Sequence, residues 1–418
     1  MANQVYPVNS DINELCIQTI RFLSADMVQK AASGHPGMPM GMAAAAYVLW
    51  TKFLRNCPAN PRWLNRDRFV LSGGHGCPLL YSIQHLMGFD ISMDELKRFR
   101  QLGSRTPGHP EIDIPAGIEV TTGPLGQGIA NAVGMAIAQK YLAAYFNRPG
   151  MDIFNYKIYV FAGDGDIQEG ITHEACSLAG HLGLDNLLVI YDDNHISIDG
   201  PTSLSFSEDV AKRFEAYDFD VHKIDGDGTN LQAIEENIGK AFRGKPTLIA
   251  LRTQIAYGAP NLQGSEKAHG APLGEQEIRL MKQNFGWDPA GAFVVPPAVY
   301  EHFHKVADKN RRLEKSWKEA FARYQEKYPD LAGQIKCAQA GGQSIDLNPV
   351  IPTFKAGESI ATRAASGKVL AAVMPKMPLL LGGSTDLTPS NNTRWPDAKD
   401  FQKDAYIGRY LRFGRGSC

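Results

Sequence analysis

The chain has 418 residues, room for two to three domains and a large core, which excludes a single small binding module. Lys+Arg 43 against Asp+Glu 44 leaves a net charge of -1, which excludes a chain drawn as a whole to nucleic acid or to an anionic membrane. Hydrophobic residues at 44% with 21% charged exclude disordered and fibrous classes, and six cysteines without a CxxC pair fit a reducing compartment.

The N-terminal stretch MANQVYPVNSDINEL has neither the order of a signal peptide nor the bias of a transit peptide. The longest weakly polar run, Gly41 to Thr51, is about half the ~20 residues that a membrane helix needs. The expectation is a soluble, cytoplasmic protein with no membrane or nucleic-acid partner.

Apolar residues at helical spacing, with Asp11 and Glu14 at the start, predict a first helix from Asp11 to about Ala32. A second, apolar all round, is predicted from Met40 to Leu54 and should be buried. From there to about residue 290, short apolar runs alternate with helical stretches, and Ile158 to Ala162, Leu187 to Tyr191 and Thr247 to Arg252 read as strands. Strands separated by helices imply a parallel sheet flanked by helices in an α/β fold. A long amphipathic helix covers 299 to 328, and the Gly-, Pro- and Ala-rich stretch 331–357 reads as a linker. A second α/β start follows, with a helix from Ser359 to about Met374 and an apolar run Leu379 to Leu381. The predicted domains are 1–330 and 358–418.

The chemistry concentrates where one strand ends in Gly163-Asp164-Gly165 and the next in Asp192-Asp193-Asn194. In a right-handed βαβ unit both strands point the same way, so Asp164 and Asn194 emerge at one carboxyl edge of the sheet. A carboxylate, an amide oxygen and nearby carbonyls are hard ligands that suit Mg²⁺ or Ca²⁺, and Mg²⁺ fills its remaining positions with phosphates and water. A diphosphate ligand is therefore implied. Gly, Asp and Asn also dominate ordinary turns, so neither motif carries this reading alone; the pair does. Of eleven histidines, His35, His75, His109 and His269 each adjoin a glycine in a predicted loop, which points to a shared pocket.

The GDG and Asn-turn pair resembles the diphosphate-and-metal motif of thiamine-diphosphate enzymes, and the chain from about residue 14 to 414 resembles the transketolase family. The segments that carry it include SGHPGMPMG (33–41), LSGGHG (71–76), SRTPGHPE (104–111), TTGPLGQGIANAVGMA (121–136), GDGDIQEG (163–170), YDDNHISIDG (191–200), HGAPLG (269–274) and LGGSTDLTPSN (381–391). The resemblance implies a thiamine-diphosphate-binding fold followed by the start of a second domain of the same type. It implies that Asp164 and Asn194 bind Mg²⁺ or Ca²⁺ by side chain and Ile196 by its carbonyl. Gly165 would let the backbone approach the diphosphate, and Gly123, Pro124 and Leu125 would lie against the cofactor's rings. His35 and His269 would contact substrate and assist proton transfers, His75 would lie near the diphosphate, and His109 would meet the sugar hydroxyls. Glu169 would join a carboxylate network between the two active sites of a homodimer. Arg363 and Ser390 would grip the sugar phosphate, and Asp386 would reach the cofactor from the partner subunit.

The implied reaction is reversible transfer of a two-carbon glycolaldehyde unit from a ketose phosphate to an aldose phosphate. Thiamine diphosphate would supply a carbon able to stabilise a carbanion. The same sugars serve the pentose phosphate pathway and the Calvin cycle. The family's acid/base glutamate should follow a Y-x-R-F-G sequence in a V-R-E-H type segment. Here Tyr410-Leu411-Arg412-Phe413-Gly414 is followed by Arg415-Gly416-Ser417-Cys418, so the resemblance implies a chain truncated within the pyrimidine-binding domain, whose own turnover is doubtful. His195 and Glu266 stand where the family pattern has Gly and His. Two other readings stay open: a dihydroxyacetone synthase-type enzyme, and a cofactor-binding or dimerising fragment without turnover.

Overall fold

Asp11 opens the first helix by accepting a hydrogen bond from the Asn13 amide, and α1 (Ile12–Ala31) ends where Ala32 turns left-handed and returns its N–H to Val28 and Gln29. The computed structural model describes residues 6–7, 11–342 and 346–414; the tail Arg415–Cys418 lies outside them. The single helix expected over Met40–Leu54 is three short pieces, Gly37–Gly41, Ala43–Val48 and a π-helical turn Leu49–Phe53. Gly37 and Gly41 lie against Ile255 and the Gln254 carbonyl, too close for any Cβ, and the run is interrupted where it makes that contact. The expected burial holds from Met38 to Thr51.

The chain then alternates β1 (Arg68–Leu71), α2 (Cys77–Met87), α3 (Gln127–Phe146), β2 (Ile158–Gly163), α4 (Gly170–His181), β3 (Leu187–Asp193), α5 (Val210–Ala216), β4 (Asp220–Ile224), α6 (Leu231–Lys240) and β5 (Thr247–Arg252). The five strands form one parallel sheet in the order β1-β2-β3-β5-β4. Because side chains alternate across a strand, Phe69, Tyr159, Phe161, Leu188, Ile190 and Ile249 enter one core with α1, while Val70, Ile158, Val160, Leu187, Val189 and Leu248 enter a second core with α3 and α4. The apolar runs predict β2, β3 and β5, which are buried on both faces. They do not predict β1, four residues long, or β4, a half-exposed edge strand carrying Asp220, His222 and Lys223.

After α7 (Glu275–Asn284), the long helix α8 spans Pro297–Lys327 and is followed directly by α9 (Pro329–Gln339). The stretch 331–357 is thus not linker from its start: Ala332 and Ile335 are buried in the second core, and their spacing of three places them on one helix face. Beyond it, α10 (Thr362–Val373) leads to β6 (Gly382–Ser384), which pairs in parallel with β7 (Tyr410–Arg412). This last segment is seated on the first unit. Phe401 and Leu411 belong to the second core, the Tyr141 hydroxyl donates to the Pro378 carbonyl, and the Tyr406 hydroxyl donates to the Leu182 and Gly183 carbonyls at 2.9 and 3.0 Å. Among the described residues, no helix is long and apolar enough to cross a membrane.

Candidate functional site

The site grows from the carboxyl ends of β2 and β3. Past Gly163 the chain makes one short helical piece, Asp164–Gln168, breaks at Glu169 with extended backbone (φ −68°, ψ 137°) and restarts as α4. Glu169 is exposed at the break and caps α4. Asp166, which the sequence reading passed over, is fully buried and organises the edge. Its carboxylate accepts from the Ser72 hydroxyl at 2.6 Å, the Gly126 amide at 2.8 Å and the Gly163 amide at 2.9 Å. Burial pushes this carboxyl up, while the three donors favour its charged form. The signal was present in the second Asp of GDGD.

A cavity of about 280 Å³ opens at this edge. It is lined by His35, His75, His109, Gly123, Leu125, Asp164, Gly165, Asn194, Ile196 and His269, ten of the predicted site residues from seven separate segments, and by Met38, Asp192 and Ser197 among others. Pro124 lies between two lining residues without lining the cavity itself. A Cβ at Gly165 would stand 2.7 Å from Leu125 Cδ1, so the absence of a side chain there keeps the floor open. The structure does not bring Glu169, Arg363, Asp386 or Ser390 to this cavity; all four are exposed, the last three on the 358–414 segment.

The floor has the chemistry of a hard-cation site. The Tyr191 hydroxyl donates to Asp164 Oδ1 at 2.5 Å, while Oδ2, buried, has no hydrogen-bond partner among the described residues. Burial and the nearby Asp192 and Asp193 push the Asp164 carboxyl up to about 7, against the Tyr191 hydrogen bond, the condition that a bound cation reverses. Asn194 Nδ2 donates to Asp192 Oδ2 at 2.9 Å, which fixes the amide. Its Oδ1 accepts from the Ile196 amide at 2.9 Å and keeps a second lone pair. Among the described residues no three His, Cys, Asp or Glu side chains converge as a metal cage. A carboxylate, amide and carbonyl set fits instead a cation that draws its other ligands from a phosphate.

The four histidines cluster as one wall of the cavity. Ring centroids of His35 lie 5.2, 6.3 and 5.7 Å from those of His75, His109 and His269, and His75 and His269 stack at 5.2 Å. Burial first, and mutual repulsion second, hold His75 down to about 3 and His35 to about 4. His109 and His269 are also lowered, chiefly by burial. At neutral pH the wall is thus uncharged, and each ring offers one donor and one acceptor. Arg100, absent from the sequence reading, donates to Ser33 Oγ at 2.7 Å and reaches His35 Nδ1 at 3.4 Å. His195 has a left-handed backbone (φ 61°), the conformation that a glycine adopts without penalty. Its side chain meets Asp193 at 3.0 Å. Glu266 lies three residues before His269 and outside the lining. A second cavity of about 350 Å³ shares Asp164; in its lining His195 meets Asp193 and Lys223 pairs with Asp209, while Glu208 pairs with Arg213, which lies outside the lining.

The family described as "Transketolase, thiamine diphosphate binding domain" matches residues 12–343. The chain is 51% identical over 406 residues to a transketolase of Geobacillus stearothermophilus, covering 96% of this chain and 61% of that protein. It is also 51% identical over 414 residues to transketolase 1 of Saccharomyces cerevisiae, covering 97% and 60%. Among solved structures, a Pichia stipitis transketolase in complex with sedoheptulose 7-phosphate superposes with TM-score 0.94 at 44% identity, and the Leishmania mexicana transketolase with TM-score 0.94 at 46%; both alignments cover 97% of this chain and 61% of the other. The chain thus spans about 60% of the length of the relatives it matches. On the matched residues, the parallel sheet and the degree of identity, this chain belongs to the transketolase family.

Proposed function

We propose that this chain supplies the diphosphate-binding half of a transketolase active site, and that the assembled protein moves a two-carbon unit reversibly between sugar phosphates, from a ketose phosphate such as xylulose 5-phosphate to an aldose phosphate such as ribose 5-phosphate. The observation that carries this reading is the cavity lined both by Asp164, whose buried Oδ2 has no hydrogen-bond partner among the described residues, and by four uncharged imidazoles. Asp164, Asn194 and the Ile196 carbonyl would hold Mg²⁺ or Ca²⁺, and Gly165 and His75 would border the diphosphate. The chemistry that thiamine diphosphate supplies when bound is a carbon nucleophile able to stabilise a carbanion.

The residues of this chain bind and orient around that centre. Neutral His35 and His269 can donate from one ring nitrogen and accept at the other, which suits a substrate carbonyl and the hydroxyl beside it and allows a proton to be held there. His109, at the exposed end of the group, is placed for sugar hydroxyls. Leu125 and the Gly123 backbone exclude water on the ring side. Arg363, Asp386 and Ser390, exposed and away from the cavity, are suited to complete the site of a second copy in a homodimer; guanidinium is the expected group for a sugar phosphate. A cytoplasmic enzyme of sugar-phosphate metabolism follows from this reading.

Calorimetric titration with thiamine diphosphate, with and without Mg²⁺, tests it. Binding should require Mg²⁺ and should be lost in Asp164→Ala. Absence of binding, or binding indifferent to both changes, refutes the assignment of the cavity; transfer of the two-carbon unit is then assayed with xylulose 5-phosphate and ribose 5-phosphate.

A further inference from the structure

His109 sits in the sequence Pro107-Gly108-His109-Pro110, which has no regular secondary structure, so its carbonyls need partners from elsewhere. Two come from one face of α2. The Tyr81 hydroxyl donates to the Pro107 carbonyl at 2.9 Å, and the Cys77 thiol donates to the Gly108 carbonyl at 3.2 Å. Cys77 and Tyr81 are four residues apart, one helical turn, and both are fully buried. Burial raises both groups, so both remain donors. On its other side the loop is closed by Arg100: a Cβ at Gly108 would stand 2.7 Å from Arg100 Nε, and the Arg100 amide donates to the Thr106 carbonyl at 2.9 Å. Downstream, the Thr122 amide donates to the Pro110 carbonyl at 3.1 Å. Held so, the His109 ring lies 3.6 Å from where a Cβ of Gly123 would be, at the cavity wall.

We propose that Tyr81 and Cys77 are positioning residues that set the His109 imidazole at the mouth of the cavity, acting through the Pro107 and Gly108 carbonyls. This deepens the functional reading given above and rests on it, since His109 is there a sugar-binding group. Neither residue touches the cavity. The strap is anchored on a helix of the core, and a helix anchor fixes geometry better than a loop does.

Histidine-selective labelling of the chain and NMR of the ring resonances test it, with His109 assigned from His109→Gln. In Tyr81→Phe, which keeps the buried ring and removes one hydroxyl, the His109 cross-peak should shift or double while those of His35, His75 and His269 stay in place. Cys77→Ala should move the same peak, and Cys77→Ser, which keeps a donor, should restore it. This pair decides the matter if Tyr81→Phe does not fold. An unmoved His109 peak overturns the proposal, and so does a uniform shift of all four histidines, which marks a merely structural role. The readout needs no cofactor, so failure here is distinct from failure of the thiamine diphosphate titration.

Discussion

Replacing His75 with glutamine isolates the consequence of burying an uncharged imidazole. His75 goes from an ordinary 6.5 to about 3 on folding, so between those values the unfolded chain binds a proton that the folded chain refuses. Stability is therefore complete above about pH 6.5 and falls as the solution is acidified, by about 1.4 kcal/mol per pH unit for one such group. At pH 5 the loss from His75 alone is about 2 kcal/mol, and the full span of the shift corresponds to about 5 kcal/mol. Glutamine keeps hydrogen-bonding capacity and cannot titrate. Urea unfolding of both proteins at intervals from pH 7.5 to pH 4.5 should show curves that run parallel above about pH 6.5 and then converge or cross, because the variant lacks this slope. Parallel curves over the whole range would show that His75 titrates in the folded protein as it does in water, and the uncharged wall would fail.

Four further outcomes are expected. Lys282→Met should cost about 3 to 5 kcal/mol in urea unfolding by leaving Asp26, 2.6 Å from the ammonium and 5% exposed, as a buried charge; Lys282→Met with Asp26→Asn should recover much of it. Asp192→Asn removes the carboxylate that fixes the Asn194 amide and should weaken Mg²⁺-dependent cofactor binding by about ten- to a hundredfold in calorimetry. Gly180→Ala places a Cβ 1.6 Å from the Tyr217 carbonyl oxygen and should lower the melting temperature, with a cost of about 1 to 3 kcal/mol or more. Tyr406→Phe deletes the donor shared by the Leu182 and Gly183 carbonyls; it should cost about 1 kcal/mol and raise hydrogen exchange within 379–411 ahead of the first unit.

The sequence was legible where one local signal sufficed. Two-sided burial made Ile158–Ala162 and Leu187–Tyr191 continuous apolar runs, the paired turns that follow them pointed to Asp164 and Asn194, and glycine-flanked histidines pointed to a shared pocket; Gly123, Leu125, Gly165 and Ile196 came from the family resemblance alone. It was illegible where packing between distant segments decided the outcome. The second Asp of GDGD is the one local mark of Asp166; that Ser72 and Gly126 address it as well as Gly163 depends on partners 94 and 40 residues away. Arg100 reads as one more surface charge in KRFRQLGSR until the fold sets it beside His35. The close approach of Gly41 to the Gln254 carbonyl joins segments more than two hundred residues apart, and the helix at 329–339 was hidden by an alanine- and glycine-rich composition that also suits a linker.

The seating of Phe401 separates the matched domain from the unit of folding. The family match ends at residue 343, yet Phe401, with none of its surface exposed, is a member of the core that α3, α4 and β2 enclose. A protein cut at that boundary would keep every lining residue of the cavity and lose a wall of its interior. An empty site of phenylalanine size in a core costs about 3 to 5 kcal/mol, a large fraction of what a typical domain has to spare. A chain that fills this core therefore runs past residue 343 to at least Phe401, a residue outside the cavity lining.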